Sequence, residues 1–237
     1  MGVPALVIGG GPSAPQQFAE AMYDLPNGTI RLSANQHGCL LTRCDYIVAV
    51  DGHINAERFK RQDGSEYGIR DFGVPIIAPK AWADYRIFNQ VLPSSGVMAA
   101  WLAWIMGCAP IVLAGIDLYD GGTYFHDVKA ESTGHRLAAD QHLERWAKLK
   151  LIAEGAAFRA MGGRLLELFP RFRRGERVEF SVPDSAKLRT AVSGVEVEFK
   201  FDWEASKSEA FKAGMIVELT SAEARLAVAS KAARMLA

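Results

Sequence analysis

The chain has 237 residues, 49% of them hydrophobic and 10% aromatic, enough apolar material for one large domain or for a domain of about 150–170 residues with a smaller module. Lys plus Arg and Asp plus Glu both number 27, so the formal net charge is zero and a general electrostatic grip on nucleic acid is excluded. The irregular spacing of Cys39, Cys44 and Cys108 excludes a disulfide framework and a paired-cysteine zinc site, and fits buried thiols in a reducing, cytoplasmic setting.

Residues 4–8 read as a buried strand, and the glycine that follows so closely is unlike a signal peptide. Gly9-Gly10-Gly11-Pro12-Ser13 then turns the backbone into a helix over 14–22, with Ser13 placed to cap it. A second strand over 29–33 ends near Asn35-Gln36-His37, and a third over 45–50 is followed by Asp51. The third is continuously apolar, as in a central strand covered on both faces. A fourth strand covers 74–78. Ser94-Ser95-Gly96 opens an apolar helix over 97–106, and 111–113 enters a fifth strand that leads to Gly115-Ile116-Asp117-Leu118-Tyr119. The stretch 97–115 is long enough to raise a membrane span, but Gly107, Cys108 and Pro110 split it into helix and strand. No membrane partner is expected.

Residues 119–136 are polar and glycine-bearing, a loop or short lid beyond a strand's carboxyl end, where open α/β sheets bind ligands. A helical apolar spacing resumes over 137–161 and stops at Gly162-Gly163. The alternation predicts an α/β fold, a Rossmann-like mostly parallel sheet with helices on both faces, as a nucleotide-binding domain over residues 1–165.

The texture changes after Pro170. Arg171-Phe172-Arg173-Arg174 reads as a solvated linker, and 177–182, 195–201 and 215–219 as half-exposed strands. Thr220 and Glu223 form a capping box for a terminal helix. Residues 166–237 are therefore expected to be a small β-rich accessory or assembly module closed by a helix, with no catalytic cluster.

The chemistry concentrates in the first domain. Gly9, Gly10 and Gly11 allow close backbone approach, and amides of this turn, with Ser13 behind it, can hold an anion. The dinucleotide fingerprint and the Gly-Lys-Ser/Thr phosphate loop are both absent. Ser94, Ser95 and Gly96 at a helix start offer hydroxyls and amides to a carboxylate or phosphate, or simply cap the helix. Asn35 and Asp51 follow strands and can recognise a base or sugar, or form turns. His126 and His135 are candidate proton carriers, whereas His142 reads as a helix-surface residue. The histidine spacing makes no zinc site, so no metal is expected.

Four motifs then resemble the bacterial sialyltransferases of the Campylobacter type, and a broader group of phage and microbial proteins related to hydroxymethylpterin diphosphokinase-like proteins. They are Gly9-Gly10-Gly11-Pro12-Ser13, Arg31-Leu32-Ser33-Ala34-Asn35-Gln36, Ser94-Ser95-Gly96 and Gly115-Ile116-Asp117-Leu118-Tyr119, spread over roughly the first 145 residues. The resemblance implies a glycosyltransferase whose donor is a cytidine-monophosphate sugar and whose acceptor is an unknown hydroxyl, with no metal or other cofactor. It implies that Gly9, Gly11, Asn35 and Asp117 sit at the nucleotide end and Ser94, Ser95 and Gly96 at the sugar carboxylate. Tyr119 and Tyr124 would face the departing phosphate, with His126 or His135 as base. Gly10 stands where the family pattern has asparagine. The ending Phe211 to Thr220 is similar to terminal modules of phage head and tail proteins, which gives the alternative: a phage virion or assembly protein carrying a degenerate transferase domain, in a homo-oligomer or with phage structural proteins as partners.

Overall fold

β1 (Ala5–Ile8) is the sequence Ala-Leu-Val-Ile with every side chain buried, and such a strand needs cover on both faces. α1 (Ala14–Asp24) and β2 (Ile30–Ala34) follow, then β3 (Tyr46–Val48), a hairpin of β4 (Arg58–Lys60) and β5 (Glu66–Gly68), and β6 (Ile76–Ile77). α2 (Ser95–Ile105), β7 (Ile111–Ala114), α3 (Ala139–Ile152) and β8 (Phe158–Ala160) complete the sheet and its cover. These are features of a computed structural model that describes residues 2–50, 58–60, 64–77, 94–119, 124–126 and 139–175, and five further strands.

The chain divides into two units, Met1–Ile77 with Leu92–Ser181, and Ala78–Val91 with Val182–Ala237. In the first, six strands lie in the order β6-β3-β2-β1-β7-β8, and every neighbouring pair is parallel. Side chains alternate across a strand. Leu6 and Ile8 of β1 and Val112 and Ala114 of β7 pack with Ala21, Phe18 and Met22 of α1. α2 packs on β1, β2, β3 and β7, so the sheet carries helices on both faces. Nearly every α2 side chain is buried, Trp101 and Trp104 included, which accounts for its apolar composition without a membrane. No described helix is long and apolar enough to cross one.

Chain direction places the site. From β1 the chain moves by way of α1 to β2 and β3 on one side, whereas β7 and β8 add on the other side of β1. The order reverses between β1 and β7, and the crevice outside the carboxyl ends of such strands is where open α/β sheets bind ligands.

In the second unit, β9 (Glu196–Phe199) is followed by a hairpin of β10 (Trp203–Ser206) and β11 (Glu209–Phe211). β12 (Ile216–Glu218) and β13 (Ala233–Leu236) both pair antiparallel with β9.

Several expectations are corrected. The helical spacing read over 137–161 covers two elements: α3 stops at Ile152, Gly155 takes a left-handed conformation (φ 81°), and Phe158–Ala160 is a sheet strand. Ser13 makes no side-chain cap to α1. The tract at 171–174 is solvent-exposed at its three arginines, as read, but it is no free linker, because Phe172 donates its N–H to the Ala160 carbonyl (2.9 Å) and packs on the core beneath α1. The end of the chain, 233–236, is a strand, while the segment read as strand over 177–182 and the start of the terminal helix at 220 lie outside the described residues.

Candidate functional site

At the β1–β7 crevice the two glycine-bearing strand ends are bonded to each other. Gly9 N–H donates to the Ala114 carbonyl (2.8 Å) and Gly11 N–H to the Gly115 carbonyl (2.8 Å). A Cβ on Gly9 would stand 2.4 Å from the Gly115 oxygen, so this approach requires glycine. Asp117 fixes the turn from the opposite strand end: Oδ2 accepts from Ser13 N–H (2.8 Å) and Oδ1 from the Ser13 hydroxyl (2.5 Å). Both carboxylate oxygens of Asp117 and the Ser13 hydroxyl are thereby engaged in holding the loop. Gln17 of α1 adds a third tie, its Oε1 accepting from Gly115 N–H (2.9 Å).

One cleft opens on this junction. Its floor is Gly9 to Pro12 and Gly115 to Tyr119, one wall is Ala34, Asn35 and His37, and another is Ser94, Ser95 and Gly96. Tyr124, His142 and Trp146 close it. Of the residues singled out in the sequence, ten line this cleft together: the three glycines of the first turn, Asn35, Ser94 to Gly96, Asp117, Tyr119 and Tyr124. Ser13 and His126 are not among the lining residues, but each is bonded to one that is, Asp117 and His37 respectively. Asp51 and His135 lie outside the described residues.

Asn35 is held in the left-handed region (φ 54°), which asparagine tolerates better than most residues. The Ser33 hydroxyl donates to its carbonyl (2.6 Å), and its own N–H donates to Val48 (2.9 Å). Ser95 connects this wall to α2, its hydroxyl donating to Asn35 Oδ1 (2.8 Å) while accepting from Val50 N–H (3.1 Å). With Oδ1 committed, Asn35 offers the cleft a donor, its Nδ2 amide. Ser94 is the N-cap of α2, and its hydroxyl accepts weakly from Val97 N–H (3.5 Å). The positive end of an 11-residue helix therefore adjoins the cleft.

Beyond β7 the chain turns through two consecutive left-handed residues, Leu118 (φ 53°) and Tyr119 (φ 63°). Each costs about 1–3 kcal/mol, so the turn is held by its surroundings. It buries Leu118 and puts the half-exposed Tyr119 ring 4.7 Å from that of His142. The Tyr119 and Tyr124 hydroxyls are 3.2 Å apart. Phe125 N–H donates to the Gly10 carbonyl (3.0 Å), which pins the 124–126 segment on the glycine turn.

The segment brings His126 against His37 as a histidine pair. His37 Nδ1 and His126 Nε2 are 2.7 Å apart, and the Tyr124 ring is 4.3 Å from that of His37. His37 is 4% exposed, and burial, assisted by the charge of His126, pushes its pKa down to about 3. His142, read from sequence as a helix-surface residue, is instead 7% exposed and lines the cleft, its pKa lowered to about 4 by burial and then by Arg145. His37 was not legible as a site residue, since its partner lies 89 positions away; its place directly after Asn35 and Gln36 was the only signal. Among the described residues no group of three or more His, Cys, Asp or Glu is arranged to hold a metal ion.

No protein-family model matches the chain, and no curated protein does. Two solved structures resemble it. Both are the sialyltransferase CstII from Campylobacter jejuni, one in complex with the substrate analogue CMP-3FNeuAc and the other with cytidine-5'-monophosphate. Each is 12% identical with a TM-score of 0.41; the matches cover 80% and 81% of this chain and 99% of the other. The likeness is distant and concerns the fold.

Proposed function

We propose that the chain is a glycosyltransferase that binds a cytidine-nucleotide sugar in the β1–β7 cleft and transfers the sugar to a hydroxyl acceptor. The observation that carries this reading is convergence: the glycine turn, Asn35, the N-terminus of α2 and the Tyr119–Tyr124 pair, all from separate elements, face one crevice. Backbone amides and a helix N-terminus favour an anion such as a phosphate or a sugar carboxylate. Asn35 is compatible with cytosine, whose O2 and N3 both accept from a Nδ2 donor, and a contact at N3 would discriminate against uracil, which carries a proton there.

In the transfer, the acceptor oxygen forms a bond to the anomeric carbon as the bond from that carbon to the phosphate oxygen breaks. The electron pair leaves with cytidine monophosphate, and the hydroxyl proton passes to a histidine, a role we assign to His126, the partner of the cleft-lining His37. The Tyr119 and Tyr124 hydroxyls would donate to the departing phosphate. Calorimetry tests the reading. Cytidine monophosphate is expected to bind while uridine and guanosine monophosphates do not. Asn35→Gly, which keeps the left-handed backbone but removes the amide, should weaken binding by about tenfold or more. Folded protein that binds no cytidine nucleotide would overturn the assignment.

A further inference from the structure

The Gly10–His37 contact is a packing feature with a chemical outcome. A Cβ on Gly10 would lie 2.5 Å from the His37 ring, so the imidazole occupies the space that any side chain at position 10 would take. His37 is almost wholly buried, yet it is one of the residues lining the cleft, with its ring packed against Gly10 of the turn. Nδ1 faces His126 Nε2, and Nε2 has no hydrogen-bond partner among the described residues. Resting on the function proposed above, we infer that His37 is a ligand-contacting residue, a neutral imidazole that donates its Nε2–H to a phosphate oxygen of the bound nucleotide.

The pair geometry explains how the donor is fixed. A neutral imidazole carries one proton, on either nitrogen. When His126 is protonated both its nitrogens are donors, so Nε2–H must point to His37 Nδ1 and the His37 proton must sit on Nε2, the nitrogen not engaged with His126. Uptake of the acceptor proton by His126 thus locks His37 as a donor at the moment when charge grows on the leaving phosphate. His37 itself remains neutral, because burial opposes a second proton. Among the described residues the ionisable groups facing the pair are Tyr124, tilted by 30° against the His37 ring and stacked on that of His126, and Tyr119, whose hydroxyl is 3.2 Å from that of Tyr124.

The test combines nitrogen-15 histidine NMR with calorimetry, using cytidine monophosphate as the probe. His37 is expected to stay neutral down to pH 5, to carry its proton on Nε2 once His126 is protonated, and to show a shift at Nε2 when the nucleotide binds. His37→Phe should weaken binding by about tenfold or more, whereas His37→Gln, which restores a donor near the Nε2 position, should stay within about threefold of the unaltered protein. Unaltered protein that binds the nucleotide with no change at His37 Nε2, or a folded His37→Phe that binds equally well, overturns this inference and leaves the proposed function standing. Absence of nucleotide binding by the unaltered protein overturns both. The NMR measurement needs no variant, so misfolding of His37→Phe would not remove the test.

Discussion

Ser95 is one hydroxyl shared by two elements, and its neighbour Ser94 provides the contrast. Ser94 makes a single long cap bond, whereas Ser95 satisfies both Val50 N–H and Asn35 Oδ1. Ser95→Ala leaves two partners unpaired in a buried place and should cost about 1–3 kcal/mol; Ser94→Ala should cost about 0.5–1 kcal/mol. Urea unfolding of the two variants measures the difference, and equal losses would contradict the bridging role. Sequence order put Asn35 and Ser95 each at the end of an element. Their bond spans 60 positions, and His37 meets His126 across 89, which is why neither contact was legible before the fold was known. His142 failed for a related reason: periodicity gives a helix face, but the wall that covers that face belongs to other elements.

The junction of β1, α1 and β7 rests on Gly115. It has a left-handed backbone (φ 66°), and a Cβ there would lie 2.4 Å from Ala14 Cβ at the start of α1. Gly28 is left-handed too (φ 91°), with nothing within 4 Å of an added Cβ. Gly28→Ala should therefore cost about 1 kcal/mol for backbone strain alone, and Gly115→Ala clearly more, because α1 must also shift. Thermal unfolding of the two alanine variants compares them; similar midpoints would show that the junction yields freely. The strands of this sheet were legible because β1, β3 and β7 are continuous apolar runs. β8 was not, since Phe158-Arg159-Ala160 is short, and the preceding apolar spacing continued the helical pattern past Gly155.

For the molecule as a whole, buried neutral histidines link stability to pH. The unfolded chain protonates histidine below about pH 6.5, but folded His37 resists until about pH 3. The unfolded state binds more protons in that window, so stability falls as pH falls from 6.5 toward 3. Between pH 7 and pH 5, His37 alone accounts for a loss of about 2 kcal/mol. His142, lowered to about 4, acts in the same direction. Denaturant titrations at the two pH values should show the loss, reduced in His37→Phe; an unchanged slope in that variant would place the proton uptake elsewhere. The strand order has a last consequence, for assembly. Ser13 and Asp117 are 104 positions apart, and the glycine turn has its opposing floor only after β7 has paired with β1. A growing chain that has not yet reached Ile111 holds every residue of the first turn and none of the strand that makes it a binding site, so the cleft is among the later parts of this unit to form.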